Sequence, residues 1–249
     1  MMRQNILITG ASAGLGRGMA REFARRGRNL ALCARRSERL EELKAELLAA
    51  HPGIKVSIRK LDVMDYEQVF EVFKAFRDEF GTLDRVIVNA GLGKGQPVGT
   101  GYFYANRKTA ETNFVAALAQ CESAVEIFRA QNAGHLVMIS SVSAMRGMPK
   151  NLTTYAASKA AAAALAEGIR ADLMRTPIKV TTIYPGYIES EMSARAKKSP
   201  FMVDTESGCR ALVVAIEREP AEASVPRWPW VPLGFLMRHL PLSMVSKMA

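Results

Sequence analysis

Asn5-Ile6-Leu7-Ile8-Thr9-Gly10-Ala11-Ser12-Ala13-Gly14-Leu15-Gly16 is an apolar run that breaks into a turn of small residues. The run reads as a buried strand, and the periodic stretch from Gly14 to Arg26, closed by Gly27, reads as a helix. Small residues at such a turn let backbone N–H groups approach a pyrophosphate, because the orphan amides and the dipole of a helix N-terminus favour an anion. The spacing is Thr-Gly-x-x-x-Gly-x-Gly rather than G-x-G-x-x-G, so the turn taken alone is also compatible with a tight connection.

The alternation continues along the chain. Asn29–Ala34, Ile54–Leu61, Arg85–Asn89, His135–Ser140 and Lys179–Tyr184 read as strands, and Arg39–Ala50, Tyr66–Phe80, Lys108–Gln131 and Tyr155–Leu173 as helices. Strands alternating with helices imply parallel βαβ units with right-handed crossovers. The fold class is therefore α/β, a Rossmann-type doubly wound parallel sheet in three layers, whose ligands sit at the C-terminal strand ends. Residues 1–249 are expected to form a single unit, because no linker or repeat divides them.

Composition narrows the function classes. Hydrophobic residues make up 49% and charged residues 23%, which excludes disordered and collagen-like chains. A net charge of +10 favours anionic partners such as nucleotide phosphates, nucleic acid or acidic lipid. Cys33, Cys121 and Cys209 are few, odd in number and scattered, which suits reduced thiols and no metal site. No stretch reads as membrane-spanning or as a signal peptide, and a cytoplasmic location is expected.

The second strand ends in Cys33-Ala34-Arg35-Arg36. An acid there binds the ribose 2′-hydroxyl of NAD, whereas arginine accommodates the 2′-phosphate of NADP, so this ending favours NADP(H) over NAD(H). Arg17 adds positive potential or is simply a solvated helix residue. Tyr155 and Lys159, four apart on a helix, share one face. An ammonium near a phenol of ordinary pKa about 10 lowers it toward neutrality and makes it a usable proton donor and acceptor.

Taken together the residues resemble the short-chain dehydrogenase/reductases in their compact form. The series is Thr9-Gly-x-x-x-Gly14-x-Gly16, Leu61-Asp62-Val63, Asn89-Ala90-Gly91, Asn113, Ser140-Ser141, Tyr155-Ala-Ala-Ser158-Lys159 and Pro185-Gly186, covering about residues 5 to 192. The resemblance implies Tyr155 as general acid/base, Lys159 as its pKa modifier and ribose ligand, Ser141 as donor to the developing alkoxide, and Asn113 as holder of a water beside Lys159. It implies a cofactor site made of Gly10, Ser12, Gly14, Leu15, Gly16, Arg35, Arg36, Asp62, Val63, Asn89, Ala90, Gly91, Tyr155, Lys159, Pro185, Gly186, Ile188 and Ser190. Asp62 would bind the adenine amino group, and Ser190 would touch the nicotinamide amide.

Two departures from the family pattern matter. The interval from Ser141 to Tyr155 is one residue longer than usual, and alignment on Gly147 puts the extra residue in the loop from Met148 to Thr154, with Ser143 the alternative partner. The basic residue often found before the second loop glycine is Ala13 here, so NADP preference rests on Arg35 and Arg36.

Residues 187–203 correspond to the family's substrate lid, with Tyr187, Met192, Phe201 and Met202 as its apolar face and Arg195, Lys197 and Lys198 expected to be solvated. The loop from Gly91 to Gly101 lines the pocket's other side or is a surface connection. Small residues from Ala156 to Ala164 suit a homodimer or homotetramer, which family members form through this helix and the Asn113 helix. The extension 223–249 carries Pro226, Pro229, Pro232 and Pro241, Trp228 and Trp230, and no acid. Because Pro232 and Pro241 interrupt any long helix, it reads as a small substrate cap or subunit contact rather than a peripheral membrane contact through 228–248.

The expected function is hydride transfer between NADP(H) and an apolar carbonyl or alcohol. A non-catalytic NADP-binding regulator would not need Asn113, Ser141, Tyr155 and Lys159 together, an epimerase of the extended branch would be longer, and nucleic-acid binding lacks a module.

Overall fold

In β1 (Asn5–Thr9), Ile6 and Ile8 face one side of the sheet and Leu7 the other, and all three are fully buried. A strand buried on both faces needs a helical layer on each side, the arrangement of parallel sheets. The computed structural model describes residues 3–191 and 201–245. After β1 come α1 (Gly14–Arg25), β2 (Asn29–Ala34), α2 (Ser37–Ala50), β3 (Val56–Lys60), α3 (Tyr66–Phe80), β4 (Arg85–Val88), α4 (Phe103–Ala110) and α5 (Ala116–Gln131). There follow β5 (Gly134–Ile139), α6 (Thr153–Asp172), β6 (Ile178–Pro185), α7 (Thr205–Glu217), β7 (Glu222–Val225), α8 (Arg227–His239) and α9 (Leu242–Val245).

The strands form one parallel sheet in the order β3-β2-β1-β4-β5-β6-β7. The chain winds outward from β1 to β3 and then crosses to β4, so a crevice opens between β1 and β4 at their C-terminal ends. One core layer is built from α1, α2 and α7 with Phe23, Leu43 and Leu212; the other from α3, α5 and α6 with Phe73, Phe128 and Ala162.

The sheet departs from the sequence reading in two places. The helix expected from Lys108 starts earlier, at Phe103, and passes through a π-helical turn, Glu111–Val115, before α5. That extra residue per turn rotates Asn113 into the interior, where it is 1% exposed. The seventh strand and α7 were not read from the sequence: β7 is only four residues long, with Glu222 exposed, and presents no alternation.

The opposite, N-terminal, ends of the strands carry a buried polar network. Arg85 Nε donates to His135 Nδ1 at 2.8 Å, and His135 Nε2 meets Thr181 Oγ1 at 2.8 Å. Thr181 spends its hydroxyl proton on the Pro220 carbonyl at 2.6 Å, so the imidazole must donate from Nε2 and accept at Nδ1. Burial, then the charge of Arg85, holds His135 well below its ordinary pKa, in the neutral form this pattern needs. Glu219 pairs with Arg85 at 3.2 Å and with Arg3 at 2.8 Å, which balances the buried guanidinium.

Candidate active site

The glycine turn sits at the mouth of the β1/β4 crevice. Gly10 and Gly14 have φ of +66° and +52°, which non-glycine residues rarely adopt. A Cβ on Gly16 would lie 2.4 Å from the Gly10 carbonyl oxygen and 2.7 Å from Asn89 Nδ2, so the α1 N-terminus is pressed against its own loop. Asn89 fastens this turn: its Nδ2 donates to the Thr9 carbonyl at 2.8 Å, and its backbone N–H and that of Ala90 donate to Thr9 Oγ1 at 3.0 and 3.1 Å. Ser12 accepts from Arg36 at 3.2 Å, and Leu15 packs into the core beside α7.

Arg35 and Arg36 stand at the end of β2 in different states. Arg35 is exposed and lies 4.0 Å from Asp62, whose other oxygen accepts from the Met64 N–H at 3.1 Å. Arg36 is bound to Glu191 at 3.0 Å. Val63 is buried beneath this edge. Pro185 and Gly186 end β6; a Cβ on Gly186 would run into the Trp230 indole. Ile188 is 5% exposed and packs its side chain in the core against Gly208. Ser190 lies beside Gly14.

Across the crevice the four residues read as catalytic come together. Lys159, 6% exposed, donates from Nζ to the Ile139 carbonyl at 2.8 Å. Asn113 accepts from the Leu92 N–H at 2.7 Å and donates to the Leu92 carbonyl at 2.9 Å and to Ser158 Oγ at 3.1 Å. Gly91 lies between them, since a Cβ there would be 3.2 Å from Asn113 Oδ1 and 3.4 Å from Lys159 Nζ. Ser141 faces the Tyr155 phenol closely enough for a hydrogen bond that favours its ionisation, while Oγ also accepts from the Ser143 N–H at 3.2 Å. Ser141, not Ser143, is thus the serine beside the tyrosine.

The electrostatics differ from expectation. Burial raises the Tyr155 phenol above its ordinary value, only partly offset by Ser141, and Lys159 does not lower it because its ammonium is turned to Ile139. Burial brings Lys159 itself down to about 8. Two supporting serines had no visible role in the sequence: Ser140 donates to the Lys159 carbonyl at 2.8 Å, and Ser158 to the Tyr155 carbonyl at 2.8 Å.

The C-terminal extension forms a roof over this cluster. Trp230 packs on Val142, Tyr184 and edge-on to Tyr187 at 4.9 Å, and Met237 packs on Met148 and Ala156, next to Tyr155. Pro232 does not break α8, because Trp228 is non-helical and the proline falls near the start of the true helix, where few amide bonds are lost; Pro241 does end it. Of the expected lid, Met192, Arg195, Lys197 and Lys198 lie outside the described residues.

A parallel doubly wound sheet with a glycine turn at its switch point and a Ser/Tyr/Lys cluster opposite defines a nicotinamide-dependent oxidoreductase. A family model for short chain dehydrogenases matches residues 4–200, and the chain belongs to that family. It is 55% identical to an uncharacterized oxidoreductase of Mycobacterium tuberculosis over 247 residues, 99% of this chain and 98% of the relative. Among solved structures it resembles levodione reductase (TM-score 0.82, 25% identity, 93% of this chain and 99% of that one). It also resembles the NADPH-dependent 3-quinuclidinone reductase of Rhodotorula rubra (TM-score 0.78, 28% identity, 88% and 85%).

Proposed function

We propose that the protein is an NADP(H)-dependent reductase of apolar carbonyl compounds, able to run in reverse as an alcohol dehydrogenase. The observation that carries this reading is the convergence of Ser141, Tyr155, Lys159 and Asn113 opposite a glycine turn that fits a dinucleotide. The fit rests on the turn's backbone: Gly10 and Gly14 hold positive φ, and Gly16 lets the α1 N-terminus close onto the Gly10 carbonyl, which a Cβ would meet at 2.4 Å. Gly10, Ser12, Gly14 and Gly16 would hold the pyrophosphate, Arg35 and Arg36 the 2′-phosphate, Asp62 and Val63 the adenine, and Lys159, Pro185 and Ser190 the nicotinamide half. When bound, the cofactor supplies or accepts the hydride.

Tyr155 gives its proton to the carbonyl oxygen, and Ser141 donates a hydrogen bond to the same oxygen as negative charge develops. The phenol, held above its ordinary pKa by burial, is protonated at neutral pH and so carries the proton that this step needs. Asn113 positions Gly91, Leu92 and Ser158 around Lys159 and holds no proton itself. Trp230, Met145, Met148 and Tyr187 around the Ser141 loop suit an apolar substrate. The 3-quinuclidinone reductase, described as NADPH-dependent, supports the cofactor assignment. The chain is further read as one cytoplasmic catalytic unit that pairs through α5 and α6 into a homodimer or homotetramer.

Calorimetric titration of the protein with NADPH and with NADH, followed by NADPH oxidation with a panel of ketones and aldehydes, tests the reading. Tight NADPH binding and turnover of apolar members support it; binding of neither nucleotide overturns it.

A further inference from the structure

From Trp228 to Met237 the chain reads Trp-Pro-Trp-Val-Pro-Leu-Gly-Phe-Leu-Met, without one polar side chain. A helix that is apolar all round is normally buried on every side. Here α8 is buried on one side only. Trp230, Gly234 and Met237 face inward onto Met145, Met148 and Tyr187, which fixes the helix orientation. The other side is exposed: Trp228 is 76% exposed and Phe235 69%, joined by exposed Leu236 and, beyond the helix, by Leu242 and Met244, while Val231 and Phe235 also border a cavity toward α7 and β7. So many exposed large apolar side chains on one short segment mark an interaction site rather than ordinary surface.

The charges on this segment are of one sign. No Asp or Glu occurs from Ala223 to the end of the chain. A cavity of about 730 Å³ between α7, β7 and α8 is lined in part by Arg210, Arg218, Arg227 and Arg238. Arg210 is paired with Glu206, and Glu222, the cavity's carboxylate, is paired with Arg170. Among the described residues no carboxylate lies within ion-pair distance of Arg218, Arg227 or Arg238. Exposed aromatic and aliphatic side chains bordered by unpaired cations are the make-up of segments that lie in a membrane interface. A second copy of this chain fits less well, because a two-fold contact through α8 would set two patches against each other whose unpaired charges are all cationic.

We propose that the outer face of α8 and α9 docks the protein onto a bilayer surface containing anionic lipid, with Trp228 and Phe235 entering the interface and Arg227 and Arg238 meeting headgroup phosphates. Among the described residues no helix is long and apolar enough to cross a membrane, so the contact is peripheral. This inference stands on the outer face alone and does not depend on the catalytic reading. Since the inner face of the same helix roofs the Ser141 and Tyr155 cluster, docking would bring that cluster next to the source of lipophilic compounds.

The test is co-sedimentation of the full chain with vesicles of phosphatidylcholine alone and of phosphatidylcholine mixed with phosphatidylglycerol, with tryptophan emission recorded in parallel. The chain has two tryptophans, one outside and one inside the roof, so their signals separate. We expect sedimentation with the anionic vesicles and a blue shift that Trp228→Phe abolishes and Trp230→Phe retains. Neutralising Arg227 and Arg238 should weaken binding about fivefold for each arginine. Phe235→Ser, on an exposed position that leaves the fold intact by circular dichroism, should weaken it further. A chain that stays in solution with both vesicle types overturns the proposal. So does a dimer in sedimentation velocity that Phe235→Ser dissociates without any vesicle binding, since the face then belongs to a second copy.

Discussion

Arg36 is tied to Glu191: its Nη1 lies 3.0 Å from the carboxylate while its Nε donates to Ser12 at 3.2 Å. The same carboxylate binds Arg39, and the two arginines hold its pKa below the usual range. One side chain from the segment after β6 therefore reaches across to the end of β2 and pairs with both Arg36 and Arg39. Arg35 remains 62% exposed and lies 4.0 Å from Asp62.

This difference orders the effects of substitution on cofactor choice. Arg35→Asp should cut the preference for NADPH over NADH tenfold or more, since one charge-assisted hydrogen bond contributes about 1.5–3 kcal/mol. Glu191→Gln, which frees Arg36 and Arg39, should tighten NADPH severalfold and leave NADH nearly unchanged. Paired calorimetric titrations check both. A ratio unmoved by either change would place the 2′-phosphate contact elsewhere.

Tyr155→Phe should abolish turnover, with NADPH affinity within about twofold of the parent, because only the proton donor is removed. Ser141→Ala should lower kcat by about a hundredfold and leave the Kd for NADPH unchanged, as loss of one donor to a developing oxyanion does. Single-turnover NADPH oxidation separates the two from binding defects. Turnover retained by Tyr155→Phe would remove the phenol from the acid role.

Gly16→Ala forces a methyl group to within 2.4 Å of the Gly10 carbonyl, a backbone atom that cannot move without reshaping the turn. It should destabilise the protein by about 1–3 kcal/mol, as overpacking does, and abolish nucleotide binding. Gly147→Ala meets nothing within 4 Å and should be neutral or slightly stabilising. Urea unfolding of the pair, with NADPH titration, distinguishes a cradle glycine from a conformationally free one.

The sheet and the glycine turn were legible because both obey local rules: buried strands read as apolar runs, and the strand-to-helix turn needs small residues. The cluster of Asn113, Ser141, Tyr155 and Lys159 was legible only through the joint pattern, since Tyr155 and Lys159 are four apart while Asn113 and Ser141 reach them through the fold. What escaped was what depends on tertiary reach. The π-helical turn that aims Asn113 inward leaves no periodicity, and Glu191 shows nothing in sequence of its hold on Arg36. The seventh strand is too short to alternate, and Pro232 looked like a breaker until Trp228 proved to lie outside the helix. The direction of the Tyr155 shift escaped for the same reason: spacing puts the ammonium nearby but does not say that Ile139 takes it.

Lys159 gives the last prediction, in which stability and activity move in opposite directions. Its folded pKa is about 8 against an ordinary value of 10.5, because burial disfavours the ammonium. For a depressed base the penalty is present in full below pH 8 and is relieved as pH rises from 8 to 10.5, where the unfolded chain still holds the proton and the folded one does not. A shift of that size corresponds to about 3 kcal/mol. Lys159→Met should therefore be more stable than the parent at neutral pH by up to about 3 kcal/mol, less what is lost with the Ile139 hydrogen bond, and the gap should close toward pH 10.5. The variant should turn over no substrate. In the parent, reduction should fall above pH 8 as the ammonium loses its proton, and Lys159→Arg should carry that limb to higher pH. Urea melts and rate profiles across this range measure both. A stability gap that does not vary with pH would mean that Lys159 is not buried as a cation, and a rate limb unmoved by arginine would assign it to another group.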